Sequence, residues 1–238
     1  TRAESLGWTD VYTLTKAFAE RVAEQKWGSE HRLTVLRPSI IESALRHPFP
    51  GWIDGFKVAD PLILAYGRGQ LPDFPGLPDS VLDVIPVDFV VNATIAAAAN
   101  PPERTTPQYF QVVSGASNPL PFHAMYENVH DYFTENPLPS EDGEVAVPTW
   151  KFPGGAKVEQ ALQDRERRLA KADAHVTRMR GSKRSRGLVD RIHRADEDLK
   201  LLRGFTELYR AYVQSELICD DTNTRALDRA LPDSVRAD

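Results

Sequence analysis

Cysteine is all but missing from this chain. Cys219 stands alone among 238 residues, so no internal disulfide can form, and the reading favours a reducing, cytoplasmic setting. The six histidines offer no H-x-x-x-H or H-E-x-x-H pairing, and with a single thiol they give no basis for a metal site. No apolar run approaches the roughly 20 residues of a membrane-spanning helix, and no signal-peptide pattern opens the sequence. An excess of basic charge is missing as well: 29 Lys and Arg against 34 Asp and Glu leave a formal balance of -5, which gives no global attraction to nucleic acid or an anionic bilayer. Of the 14 glycines none forms G-x-G-x-x-G or G-x-x-G-x-x-G after a strand-like run, so the usual pyrophosphate cradle at a helix N-terminus is missing. There is no internal repeat and no low-complexity tract. With 41% hydrophobic and 26% charged residues, the chain can bury a core in one large domain or two small ones.

The pattern along the chain predicts alternating helices and strands, then mostly helix. Thr9 or Asp10 is a fitting N-cap for a helix to about Trp27, with Val11, Leu14, Phe18 and Val22 at helical spacing. Leu33 to Leu36 reads as a buried parallel strand closed by Arg37-Pro38. Residues 40–55 are too rich in proline for regular structure, and Phe56 to Tyr66 reads as a helix. Val84 to Val87 is a short strand, after which Asp88 is expected to cap an Ala-rich helix from Phe89 to Ala99. Tyr109 to Val113 is the next strand. Beyond Asn118-Pro119 helices are expected from Pro121 to Thr134 and from Val158 to Met179. A last helix would place Leu199, Leu202, Phe205, Leu208, Tyr209 and Tyr212 on one apolar face. The predicted fold class is therefore α/β: a partial Rossmann-like layer over 1–118, followed by a mostly helical region over 119–238.

The chemistry-bearing motif is Tyr12-Thr-Leu-Thr-Lys16. Residues four apart on a helix share a face about one turn apart, so the Lys16 ammonium can sit beside the Tyr12 phenol. An ammonium there stabilises the phenolate and makes the hydroxyl a usable proton donor or acceptor. The same spacing also arises on helices where Tyr packs and Lys is solvated. Its placement in a helix feeding the Leu36-Arg-Pro strand favours the chemical reading. The cluster Arg178, Arg180, Lys183, Arg184 and Arg186 reads foremost as a solvated turn, with a phosphate-bearing ligand or an anionic bilayer as the other readings. It lacks interleaved aromatics, which argues against nucleic acid. Cys219 reads as a small buried hydrophobe. Asn92-Ala-Thr94 matches a glycosylation sequon inside a predicted helix and is discounted.

The match is broader than one motif. Tyr12-Thr-Leu-Thr-Lys16-Ala-Phe-Ala-Glu20, Leu36-Arg-Pro-Ser-Ile-Ile41, Pro48-Phe-Pro-Gly-Trp52, Ile85-Pro-Val-Asp88, Val91-Asn-Ala93, Tyr109 to Pro119, Leu208-Tyr-Arg-Ala-Tyr212 and Asp221-Thr-Asn-Thr224 resemble the latter portion of the fatty acyl-CoA reductases. These form a branch of the extended short-chain dehydrogenases. The resemblance implies NADPH-dependent reduction of a long-chain fatty acyl-CoA to the aldehyde, with the alcohol as a further product. It makes Tyr12 and Lys16 the catalytic pair and places Tyr12, Lys16, Pro38, Ser39 and Ile40 against the NADPH cofactor. Phe49 and Trp52 fall on the acyl side, where each buried CH₂ is worth about 0.8 kcal/mol. Core anchoring is the equally weighted reading for Phe49 and Trp52, and capping of the next turn is that for Ser39.

Two departures set a further expectation. The Gly-rich fingerprint is missing, and the family's catalytic Ser or Thr should lie a dozen or more residues before the Tyr, where only eleven residues stand. The chain by itself is therefore expected not to turn over substrate, while its parent does. Three readings stay open beside the main one: a reductase of aldehydes alone, one acting on carrier-bound thioesters, and a non-catalytic module whose helical half meets a membrane or a partner. An unpaired sheet edge also leaves self-association open.

Overall fold

The computed structural model describes residues 2–55, 59–71, 77–140, 143–150, 155–178 and 217–236, with scattered positions between 189 and 204. The chain divides into two compact units, one built from 1–55, 81–120 and 217–238, the other from 56–80 and 121–216. The boundary expected after residue 118 lies two residues from the crossing at Leu120. The fold adds that 56–80 belongs with the second unit and 217–238 with the first.

In the first unit α1 (Arg2–Ser5) leads to α2 (Val11–Ala23), which runs on into a wider π-helical turn, Glu24–Gly28. Asp10 is the N-cap: its carboxylate accepts the Thr13 N–H at 2.7 Å, satisfying one of the helix's orphan donors. The next run is extended from β1 (Thr34–Pro38) through Ser39 into β2 (Ile40–Glu42). It changes neighbour part-way. β1 lies parallel to β4 (Gln108–Val112), whereas β2 lies parallel to β3 (Val84–Pro86). At the changeover the Ser39 N–H donates to the Val112 carbonyl at 3.1 Å and the Ile40 N–H to the Asp83 carbonyl at 3.2 Å.

α4, numbered after α3 of the second unit (Asp60–Gly67), spans Val87–Ala99 and packs on β1, β2, β3 and β4. The buried side chains here include Ile85, Ala97, Phe110 and Val112. Three expectations are corrected. β2 is a strand inside the segment read as irregular. The Leu33–Leu36 run is half-buried rather than buried, since among the described residues only β4 pairs with β1. Asp88 does not cap α4, which starts one residue earlier on extended Pro86; its carboxylate serves another loop.

The free edge of β4 is closed by sequence from far away. Residues 108, 110 and 112 face β1, leaving the carbonyls of Tyr109 and Gln111 on the other edge. Asn223 Nδ2 donates to the first at 3.0 Å and Thr224 Oγ1 to the second at 2.6 Å. Both residues open a short helix, Thr222–Ala230, followed by Asp233–Arg236.

The second unit has an aromatic core. α3 and α5 (Phe122–Glu135) supply Tyr66, Phe122, Tyr126 and Phe133, which enclose Trp150 and Leu71. Their polar tips are satisfied internally, as burial requires. Tyr66 OH donates to the Pro148 carbonyl at 2.7 Å, the Trp150 N–H to Tyr126 OH at 2.8 Å, and Trp150 Nε1–H to the Leu71 carbonyl at 2.8 Å. Burial, followed by the bond with Tyr126, pushes the Tyr66 phenol well above its ordinary range. A small hairpin joins β5 (Pro139–Ser140) to β6 (Gly143–Glu144), and α6 spans Gly155–Arg178. Leu162, Leu169 and Leu199 form a second cluster. The basic cluster beyond Arg178 and most of the expected last helix lie outside the described residues.

Candidate active site

The site begins with how α2 is fixed to the sheet. Tyr12, Lys16, Glu20 and Glu24 recur every four residues, so each stands about 40° further round the axis than the one before. The lower two are anchored. Arg37 Nε and Nη2 grip both Glu20 oxygens, at 3.1, 3.1 and 2.6 Å. The Tyr109 hydroxyl donates to Glu24, and the Arg37 guanidinium lies 4.9 Å from the Tyr109 ring centroid. The shared proton holds the Glu24 carboxyl below its usual range and pushes the Tyr109 phenol up; the Glu20 carboxylate raises Arg37 further.

These anchors give α2 a direction. Tyr109 pairs in register with Val35, so stepping from Glu24 back to Glu20 is stepping from Val35 forward to Arg37. Each step is about 6 Å, and helix and strand run antiparallel. Tyr12 stands about 12 Å beyond Glu20 along α2, in the direction of the carboxyl end of β1. Open α/β sheets hold their ligands there.

Tyr12 and Lys16 are together as the sequence predicts. Lys16 Nζ lies 5.5 Å from the Tyr12 ring centroid, and both side chains are exposed, Tyr12 to 64%. Ser39 sits where the strand changes neighbour. Its Oγ is buried and, among the described residues, meets no protein partner, a feature that calls for a ligand or water. The N–H groups of Ser39 and Ile40 are already used within the sheet and Pro38 has none, so a ligand at this strand end would meet carbonyls and the Ser39 hydroxyl.

The acyl-side candidates Phe49 and Trp52 occupy a closed loop after β2. Its neck is pinned by Ala44 N–H to the Trp52 carbonyl at 2.8 Å and Gly51 N–H to the Ala44 carbonyl at 2.9 Å. Gly51 turns at φ +81°, a conformation that suits glycine. Phe49 is exposed to 58% and Trp52 is half-buried. Among the described residues no hydrogen bond or ring contact joins Phe49 or Trp52 to the Tyr12–Lys16 pair.

Residues 1–94 match the NAD-binding family model described as Male sterility protein. The chain is 32% identical over 237 residues to Probable fatty acyl-CoA reductase 4 of Arabidopsis thaliana, covering 95% of this chain and 45% of that protein. It is 30% identical to Fatty acyl-CoA reductase 1 of the same plant, covering 99% and 48%, and 41% identical over 149 residues to its Fatty acyl-CoA reductase 2, chloroplastic, covering 60% and 24%. The chain belongs to the fatty acyl-CoA reductase family. It spans less than half the length of each of these relatives.

Two parts of this reductase-family site escaped the sequence reading. Glu20 and Arg37 were visible as motif residues, but their pairing spans 17 positions and no local pattern announces it. Asp88 stood in the Pro-Val-Asp motif and was read as a cap. Instead its carboxylate, 7% exposed, receives three successive backbone N–H groups of the loop. Leu45 donates to Oδ1 at 3.1 Å; Arg46 and His47 donate to Oδ2 at 2.8 and 3.2 Å. Burial alone pushes this carboxyl up, but the N–H groups of Arg46, Leu45 and His47 outweigh it and hold it at about 2.

Proposed function

We propose that the protein reduces a long-chain fatty acyl-CoA to the fatty aldehyde with NADPH, and carries the aldehyde on to the alcohol by the same chemistry. One observation bears most of the weight: Lys16 Nζ lies 5.5 Å from the Tyr12 ring on a helix tied to β1 by the Glu20–Arg37 pair. The family membership supports the acyl substrate and a nicotinamide nucleotide, and the activity is assigned to the whole protein in which these residues sit.

The residues present fit such a cofactor at the strand end. The Ser39 hydroxyl is buried and without a protein partner among the described residues, and Lys16 offers three N–H donors to a ribose hydroxyl. Bound there, the nucleotide supplies the hydride. The chain's own part is proton handling and positioning. Tyr12 gives its proton to the carbonyl oxygen as that oxygen gains charge. Lys16 favours the phenolate left behind and thereby the transfer. The resulting hemithioacetal breaks its C–S bond, releasing the aldehyde and the CoA thiol. Pro38, Ser39 and Ile40 would hold the nicotinamide end of the nucleotide.

The test is Tyr12→Phe in the full-length protein. It should lower kcat by about 10²–10⁴-fold, the usual worth of a positioned acid, while NADPH binding persists. Side-by-side rates with acyl-CoA, acyl carrier protein and free aldehyde identify the donor. Full activity in Tyr12→Phe would remove the phenol from the mechanism.

A further inference from the structure

Asp88 is a costly residue to bury for the sake of loop shape alone. Three consecutive N–H groups converge on one carboxylate across 41 to 43 positions of sequence, fixing residues 45–47 as a nest around the charge. The neck bonds at Ala44, Gly51 and Trp52 close the other side, so residues 44–52 are held from both ends and from beneath. Beside the exposed Arg46 and His47, this loop presents three large apolar side chains outward: Leu45, Phe49 and, just after it, Ile53. Exposed large apolar side chains on a loop fixed by a buried charge are not explained by packing, because none of the three is in the core. The loop also leaves β2 at its carboxyl end.

We propose that Asp88 is a positioning residue for the acyl chain, holding the 44–52 loop so that Leu45, Phe49 and Ile53 form a ledge along which the alkyl tail of the substrate lies. The assignment rests on the fatty acyl reading above and extends it to a residue that touches neither substrate nor nucleotide. A carboxylate is required because it can accept all three N–H groups. A carboxamide must turn its NH₂ toward at least one of them, losing a bond and setting donor against donor.

The experiment compares the full-length protein with its Asp88→Asn and Phe49→Ala variants. It reads kcat and KM with C8, C12 and C16 acyl-CoA, NADPH affinity by fluorescence titration, and tryptic cleavage after Arg46. The expected result for Asp88→Asn is a KM for C16 raised about tenfold or more, a much smaller change for C8, NADPH affinity retained, and the Arg46–His47 bond newly cut. Phe49→Ala, an exposed position whose loss does not threaten folding, should flatten the chain-length dependence without exposing Arg46. Equal losses at all three chain lengths would overturn the proposal by reducing Asp88 to a general structural role. So would an unchanged chain-length dependence in Phe49→Ala. Absence of acyl-CoA-dependent NADPH oxidation in the unsubstituted protein would sink the fatty acyl reading itself, and the ledge with it. The tryptic pattern would then still report whether Asp88 holds the loop.

Discussion

Gly67 ends α3 directly against Phe133, and replacing it with Ala tests how tightly the aromatic core of the second unit is filled. A Cβ at that position would lie 2.5 Å from both Cε1 and Cζ of Phe133 and 2.9 Å from Cδ1. Carbon atoms prefer about 3.5–4.0 Å, so the ring must retreat by about 1 Å. It has little room to do so. Phe133 is 6% exposed, and it meets Tyr66 and Tyr132 edge-on at centroid distances of 6.4 and 5.3 Å. Overpacking of this kind costs about 1–3 kcal/mol. Against it stands the gain of about 0.5–1 kcal/mol from taking a flexible glycine out of a helix. The clash wins, and Gly67→Ala should destabilise by about 1–2 kcal/mol. Urea unfolding is the assay, with the midpoint falling at constant slope. Shrinking the ring supplies the control. Phe133→Leu alone should cost about 1–2 kcal/mol, yet the double variant should be less unstable than the two losses combined, because the cavity accepts the new methyl. A Gly67→Ala protein as stable as the parent, or strict additivity of the pair, would refute the packing argument.

Acid should act through Asp88. Its folded-state pKa of about 2 lies below the ordinary carboxyl value of 3.8, so its stabilisation is complete above about pH 4 and is lost as pH falls toward 2. With a discount for its shallow cover, the loss is on the order of 1–2 kcal/mol. It is measured as the stability gap between the parent and Asp88→Asn, which should close across that window; a gap that persists at pH 2 would assign the effect elsewhere. A double-mutant cycle of Glu20→Gln and Arg37→Gln should give a coupling of about 1 kcal/mol that weakens with salt, the partly exposed bidentate pair being screened. Zero coupling would leave α2 without its proposed anchor.

Legibility followed the range of the interactions. Tyr12 and Lys16 were readable because a helix brings i and i+4 together whatever the rest of the fold does. Helices α2 to α6 and the strands β1, β3 and β4 were readable from apolar period and punctuation, whereas the helices Arg2–Ser5, Thr222–Ala230 and Asp233–Arg236 were not. β2 was not: three residues between a strand and a proline-rich loop carry no period, and only its pairing with Val84–Pro86 makes it a strand. Asp88 shows the opposite error. A short acidic side chain before an Ala-rich run satisfies every local rule for a cap, but Pro86 starts α4 one residue early and leaves the carboxylate free to bind a loop 41 residues upstream. Local rules cannot choose between two acceptable partners when one is remote. The same holds for Leu36, whose hydrophobicity said buried while its actual cover depends on neighbours on both sides.

The side chains of Asn223 and Thr224 bear on how this protein can be cut. Because they satisfy the outer carbonyls of β4, a fragment ending near residue 120 would keep every strand of the first unit and still expose a raw backbone edge to solvent and to other copies. Dissection at the apparent midpoint would therefore produce an adhesive piece. A faithful minimal version would instead excise both 56–80 and 121–216 and splice the last twenty-odd residues directly onto the sheet they seal.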